Sequence, residues 1–212
     1  FTNAALQLVQ YRGADHEIAN RGDGCGGIHP RAQTSDGKAG IVVVGVGGIF
    51  SPIVGTKLNR PANQIELIGI VGADLISQFD DCRSCKMRVG ALPQNPTGLM
   101  GYAFNWSPEG VVNEYLNDCE VIEEGKRKWV SPMEWLEDIY IDGIKLEAFT
   151  TSGGLGTMCE TYLGKVGNID YKSMRYPGHV QQMNFFFHEL LMRDRRKEAG
   201  EILVNAKPPV QD

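Results

Sequence analysis

The sequence predicts an α+β protein built on a largely antiparallel or mixed open sheet with helices on one face. Three observations carry this. Short stretches of period-two alternation fill the middle of the chain, a tight-turn dipeptide joins two of them, and the helical periodicities gather near the end instead of alternating with the strands. The 212 residues are 42% hydrophobic and 22% charged, a globular balance that supports a packed core in one domain, or one and a partial second. A net charge of -5, with no Lys/Arg stripe interleaved with aromatics, argues against nucleic acid as a partner. The longest apolar runs, 41–46 and 65–71, are too short or interrupted to span a bilayer, so no membrane partner is expected. The start at Phe1, with no signal-peptide pattern, is expected of a segment lying inside a longer protein. Cys25, Cys82, Cys85, Cys119 and Cys159 are too few and too irregular for a disulfide framework, so a reducing, cytoplasmic setting is expected.

Taken in order, the first forty residues are punctuated by Gly, Asp, Asn and Pro and read as loops. Ile41-Val-Val-Val ending in Gly45-Val-Gly-Gly reads as a strand and a glycine turn, with a helix to follow over 49–58. The run 65–73 is ambiguous between strand and helix, and Leu75, Ile76 and Phe79 suit a helical face. Cys85, Met87, Val89 and Ala91 alternate with Lys86, Arg88 and Gly90, the pattern of a half-buried strand. Tyr102, Phe104 and Trp106 give a second, aromatic-faced strand. Ser107-Pro108 supplies a cap and a first-turn proline for a helix through Tyr115. The segment 119–130 reads as a hairpin, and Asp142-Gly143 is the strongest hairpin signal in the chain. A helix is expected over 155–162, a loop over 172–179 around Tyr176-Pro-Gly, and an amphipathic helix from Val180, Met183, Phe186, Phe187, Leu190 and Leu191. A last helix carries Ile202, Leu203 and Ala206 and stops at Pro208-Pro209.

Four segments suggest chemistry. Gly45-Val-Gly-Gly after a β-branched strand is a partial dinucleotide pattern in which Gly45, Gly47 and Gly48 would let backbone N–H groups approach a pyrophosphate. Phe50 stands where the third glycine is needed and Pro52 interrupts the helix, so this is a partial Rossmann-like strand–turn–helix, or a structural turn. Cys82-Arg-Ser-Cys85 has the spacing of a zinc or redox pair but lacks a second pair, which favours ordinary buried thiols. Thr151-Ser152-Gly153-Gly154 either receives a carboxylate at a helix start or caps that helix. Arg175-Tyr-Pro-Gly-His179 joins a guanidinium suited to carboxylates with an imidazole able to exchange protons, or else simply opens a helix.

A resemblance adds to these readings. Met87-Arg-Val-Gly-Ala-Leu-Pro-Gln-Asn-Pro, Asn113-Glu-Tyr, Glu147-Ala-Phe-Thr-Thr-Ser-Gly-Gly-Leu-Gly-Thr, Glu160-Thr-Tyr, Gly164-Lys-Val and Met174-Arg-Tyr-Pro-Gly-His, in this order, resemble the C-terminal part of the saccharopine dehydrogenase-like oxidoreductases. That family includes lysine 6-dehydrogenase and carboxynorspermidine dehydrogenase. The likeness runs from about Ile68 to Pro209. It implies a loop-rich segment 1–66 with a Rossmann-like remnant, then a substrate-binding and dimerisation domain over 67–212. It further implies NAD or NADP as cofactor, an amino-acid substrate oxidised at a C–N bond, and a homodimer. Carried over residue by residue, His179 and Arg175 become the catalytic candidates. Thr151, Ser152, Gly153, Gly154, Glu114, Tyr102 and Asn95 become the substrate-binding ones. The incomplete glycine motif leaves a second reading open, a non-catalytic oligomerisation fragment with no working cofactor site.

Overall fold

The computed structural model of the chain describes residues 6–9, 39–46, 72–73, 76–77, 82–90, 92, 96, 98–102, 107–141 and 143–206. Eight strands form one mixed sheet: β1 (Leu6–Val9), β2 (Ala39–Val46), β3 (Cys82–Gly90), β4 (Cys119–Glu123), β5 (Lys126–Val130), β6 (Glu137–Ile141), β7 (Ile144–Thr150) and β8 (Val166–Arg175). The order is β1-β2-β3-β8-β4-β5, with β7 also paired to β8 and β6 to β7. Pairs β2/β3 and β3/β8 are parallel and the others antiparallel. The α+β expectation with a mixed open sheet therefore holds. Its first strand is new, since Leu6–Val9 falls where loops are expected.

The centre of the sheet is β8. Strand β3 runs along one edge of it, while the other edge is divided between β4, which meets it at Ile169, and β7, which pairs with Lys172 through Arg175. The expected loop over 172–179 is thus corrected for its first four residues. Lys172, Ser173 and Arg175 look like loop residues locally, yet each is buried. Their partners come from strands and helices distant in sequence, which no local pattern displays.

Both expected hairpins form. In β4–β5 the turn places Glu124 and Gly125 at φ 51° and 73°, and in β6–β7 Ile141 faces Ile144 across a two-residue turn with Gly143 at φ 77°. Helix α1 (Pro108–Leu116) starts as its sequence dictates, with Pro108 in the first turn and the Ser107 hydroxyl accepting from the Gly110 N–H at 3.1 Å. Helix α2 is short (Met158–Tyr162), and α4 spans Arg196–Ala206. The expected amphipathic helix is α3 (His179–Asn184), continued by a π turn over Phe185–Glu189 in which Leu190 N–H reaches back to the Phe185 carbonyl. That wider turn rotates the apolar stripe: Val180, Met183 and Phe187 are buried, while Leu190 and Leu191 face solvent. Of the expected aromatic strand, Tyr102 is not in a strand and 103–106 lie outside the described residues, as do the helix over 49–58 and Pro208-Pro209.

The two faces of β8 differ. On one, Ile169 and Tyr171 join Cys85, Met87 and Val89 of β3 under Met158 and Cys159 of α2. Phe149 of β7, on the same side, packs with Val111, Val112 and Tyr115 of α1, Val180 and Met183 of α3, and Ala199 and Leu203 of α4. The described helices therefore share one face, as expected. Met174 points to the other, with Ala148, Leu146, Ile139 and Ile141. Beside them the Arg88 guanidinium pairs with Glu137 and with Asp170 (2.5 Å), and Lys172 Nζ donates to Glu137 (2.8 Å) and to the Trp135 carbonyl (2.6 Å). Strand β3, expected to be half-buried, is buried on both sides toward its end because Arg88 is 2% exposed within this network.

Candidate active site

The helix-bearing face carries Tyr171, Ser173 and Arg175 on β8 and Glu147 and Phe149 on β7, because side chains two apart share a face and Glu147 lies opposite Arg175. Arg175 is 4% exposed. Its Nε–H donates to the Tyr115 hydroxyl at 2.9 Å and Nη1 donates to the Met174 carbonyl at 2.8 Å. The guanidinium carbon lies 4.3 Å from the centre of the Tyr102 ring and 5.8 Å from that of Tyr115. It is a cation held in an aromatic cage, where ring quadrupoles replace part of its lost hydration.

The hydrogen bonds from Arg175 onward have a fixed direction. Arginine only donates, so the Tyr115 oxygen accepts from it and turns its own proton to His179 Nε2, 3.0 Å away. At the far side His179 Nδ1 lies 3.2 Å from the Met100 carbonyl, which only accepts. Nδ1 therefore carries the proton and Nε2 is the acceptor, which describes a neutral imidazole. Burial, reinforced by the charge of Arg175, holds its pKa down at about 3. The ring stacks on Phe149 at 6.3 Å and meets Tyr102 edge-on at 5.4 Å. The exchangeable imidazole expected at this position is thus bonded at both nitrogens.

His179 is positioned by Glu147. This carboxylate accepts from the N–H groups of Gly178 (2.8 Å) and Val180 (2.7 Å), satisfying donors at the start of α3 where no residue in sequence provides a cap. Gly178 takes φ 95°, which lets the turn close.

Glu114, the residue before Tyr115 on α1, is 8% exposed and its carboxyl has no hydrogen-bond donor among the described residues. Burial pushes its pKa up to about 7 even though the Arg175 charge pulls the other way. The 151–154 turn is tied to the same helix. Ser152 N–H bonds the Glu114 carbonyl at 3.0 Å, Ser152 Oγ donates to the Asn113 carbonyl at 3.3 Å, and the Thr151 and Ser173 hydroxyls are 2.8 Å apart. Helix α2 begins later, at a Thr157 cap, so this turn joins β7 to α1 and does not cap a helix. Gly153 has φ 84°, and a Cβ on Gly154 would run into the ring of Tyr171.

The structure therefore brings Arg175, His179, Glu114, Tyr102, Thr151 and Ser152 into one region. Tyr115, Glu147, Tyr171 and Ser173 belong to it as well and escape sequence reasoning. Tyr115 and Glu147 stand in the motifs Asn113-Glu-Tyr and Glu147-Ala-Phe, and a buried tyrosine one residue from a buried glutamate was the available signal. Asn95, Gly47 and Gly48 lie outside the described residues. Gly45 is inside the sheet, opposite Leu6 on one side and Val89 on the other. It is the next-to-last residue of β2, and the glycine turn expected after it is not among the described residues. Nor do the cysteines suggest a reactive pair: Cys82 and Cys85 are buried, and burial, with Cys82 beside it, pushes the Cys85 thiol up to about 12.

Among solved structures the chain is similar to the apo, histidine-tagged saccharopine dehydrogenase (L-Glu forming) from Saccharomyces cerevisiae, at 16% identity and a TM-score of 0.46. That match covers 70% of this chain and 40% of the yeast chain, so the chain spans less than half of that relative's length. The family model for the saccharopine dehydrogenase C-terminal domain matches residues 60–205, well over half of the chain, and the chain belongs to that family.

Proposed function

We propose that this chain is the substrate-binding and dimerisation domain of an NAD(P)-dependent amino-acid dehydrogenase acting on a C–N bond. Family membership supports an amino-acid dehydrogenase-like domain. The observation that carries the finer reading is Arg175. A buried guanidinium is costly unless something compensates its charge, and Arg175 makes no ion pair among the described residues, whereas Arg88 one strand away makes two. Two of its five N–H groups are taken by Tyr115 and Met174, and the remaining donors suit a substrate carboxylate. Glu114, the residue before Tyr115, suits the amine of the same molecule.

The nicotinamide cofactor, which would accept the hydride, enters this reading from the family alone. The homodimer is supported by Trp129, Tyr140 and Ile144, which β5, β6 and the start of β7 leave exposed. A cytoplasmic setting remains part of the proposal; no helix among the described residues is long and apolar enough to cross a membrane.

The test is turnover of saccharopine and L-lysine by the full-length protein with NAD+ and NADP+, run beside light scattering for its mass. In the active protein, Arg175→Ala should raise KM about 100-fold, the loss of a charge-assisted contact worth ~3 kcal/mol. Unchanged KM sinks the assignment of Arg175. A dimer that binds neither NADH nor NADPH and turns over no amino acid is an oligomerisation module instead.

A further inference from the structure

We infer that the group exchanging a proton with the substrate nitrogen is Glu114 and that His179 is a positioning residue. This rests on the proposed amino-acid substrate and deepens it.

The hydrogen-bond directions argue first. For His179 to accept a proton from a substrate, Nε2 would have to release the Tyr115 hydroxyl, and the resulting imidazolium would face the Arg175 guanidinium through that hydroxyl. Among the described residues nothing anionic pairs with the ring, and its neighbours there are Tyr102, Tyr115, Phe149 and the Met100 carbonyl. Burial and the Arg175 charge oppose its protonation while the Met100 carbonyl favours it, and a neutral ring bonded at both nitrogens fixes Tyr115, which in turn orients Arg175.

Glu114 has the opposite circumstances. The residue is 8% exposed, its carboxyl is free of hydrogen-bond donors among the described residues, and it belongs to the helix to which the 151–154 turn is stitched, one residue before the Tyr115 that bonds Arg175 and His179. The titratable groups that sense its charge are Arg175 and Tyr171 from β8, Tyr115 from α1 and Cys119 at the start of β4. Burial pushes Tyr115, Tyr171 and Cys119 upward, so they stay neutral at neutral pH. Arg175 is then the sole charge in that set and favours the ionised form. Burial outweighs it and leaves the carboxyl titrating near neutrality, the range useful to a general acid or base.

The step is a proton transfer that balances within the pair. One N–H bond of a substrate ammonium breaks and its electron pair stays on nitrogen as the lone pair. The proton forms an O–H bond on Glu114, turning a carboxylate and an ammonium into a carboxylic acid and an amine. The reverse step protonates the amine when the reaction runs the other way.

The chain, isotope-labelled at its glutamate carboxyl carbons, is titrated by NMR from about pH 4 to about pH 9. The resonance of Glu114 is identified by its absence in Glu114→Gln, or by its displacement in Glu114→Asp if the first variant does not fold. The expected midpoint is near 7, and millimolar saccharopine should lower it at least tenfold in proton affinity because the ammonium favours the carboxylate. A midpoint in the ordinary carboxylate range, or one indifferent to saccharopine, overturns the inference.

In the full-length protein, the near-neutral limb of kcat/KM should vanish in Glu114→Gln and persist in His179→Gln. The reverse pattern also overturns it. An ordinary Glu114 midpoint in an active amino-acid dehydrogenase removes this role and leaves the function standing. A near-neutral midpoint in a protein that oxidises no amino acid removes the function, and the proton exchange with it.

Discussion

Each face of β8 meets a buried arginine, Arg88 of β3 on one and its own Arg175 on the other, and the two are handled differently. Arg88, reaching the β8 face that carries Asp170 and Lys172, is enclosed by two carboxylates and shares one of them with Lys172, so that two positive and two negative groups cancel. Arg175 on the other face has tyrosine rings, a hydroxyl and a carbonyl, with Glu114 as its acidic neighbour outside ion-pair contact. The first network is balanced in charge and ties β3, β6 and β8 together. An open one keeps donors available, at a cost in stability that a bound carboxylate would offset.

The sharpest way to break this comparison is to open the closed network. Arg88→Ala leaves Asp170 and Glu137 without their main partner and should destabilise the fold by about 3–5 kcal/mol in urea unfolding. A loss under ~1 kcal/mol would mean that the network does not hold the sheet.

The two carboxyls should also give pH dependences of opposite sign. Burial alone would raise the Glu137 pKa, but Arg88 and Lys172 override it and hold it below its ordinary value. Its stabilising contribution is therefore present above the unfolded value and is lost as pH falls. The Glu114 pKa is raised to about 7, so the native state binds the extra proton between the unfolded value and about 7, and stability declines as pH rises through that window. Glu114→Gln should remove this decline. Relative to the parent, the variant should gain on the order of 2 kcal/mol between about pH 5 and about pH 8. Equal pH profiles for variant and parent would place Glu114 in an ordinary, solvated environment.

A smaller effect sharpens the open site. Tyr115→Phe deletes the hydroxyl that accepts from Arg175 and donates to His179, and should cost about 1–2 kcal/mol by thermal unfolding. No loss at all would contradict the bond directions assigned to the Arg175–Tyr115–His179 relay.

How far the sequence led is clear from particular elements. Ser107-Pro108 and Asp142-Gly143 act through their own neighbours, by a hydroxyl on an N–H three residues on and by a backbone that accepts positive φ, so helix α1 and the β6–β7 hairpin were legible. The candidate site was legible only through its motifs: Arg175 and His179 share Tyr115, and Ser152 of the 151–154 turn bonds the Asn113 and Glu114 carbonyls. Tyr115 was passed over because it reads as a helix-face aromatic, and Glu147 because a carboxylate in a strand gives no hint that it caps a helix thirty-odd residues away.

The sequence by itself determined the α+β class, the two hairpins, the capped helix and the set of motifs, because turns, caps and alternation are short-range properties of the backbone and its nearest side chains. Only the tertiary structure decided that Val166–Arg175 is the central strand, that one buried arginine is neutralised and the other left open, and that the imidazole is neutral while a glutamate is poised near neutrality. Those outcomes depend on desolvation and on partners brought from distant parts of the chain. The same polar residues that read locally as a loop become core when a guanidinium, a phenol or a carboxylate arrives from elsewhere to satisfy them.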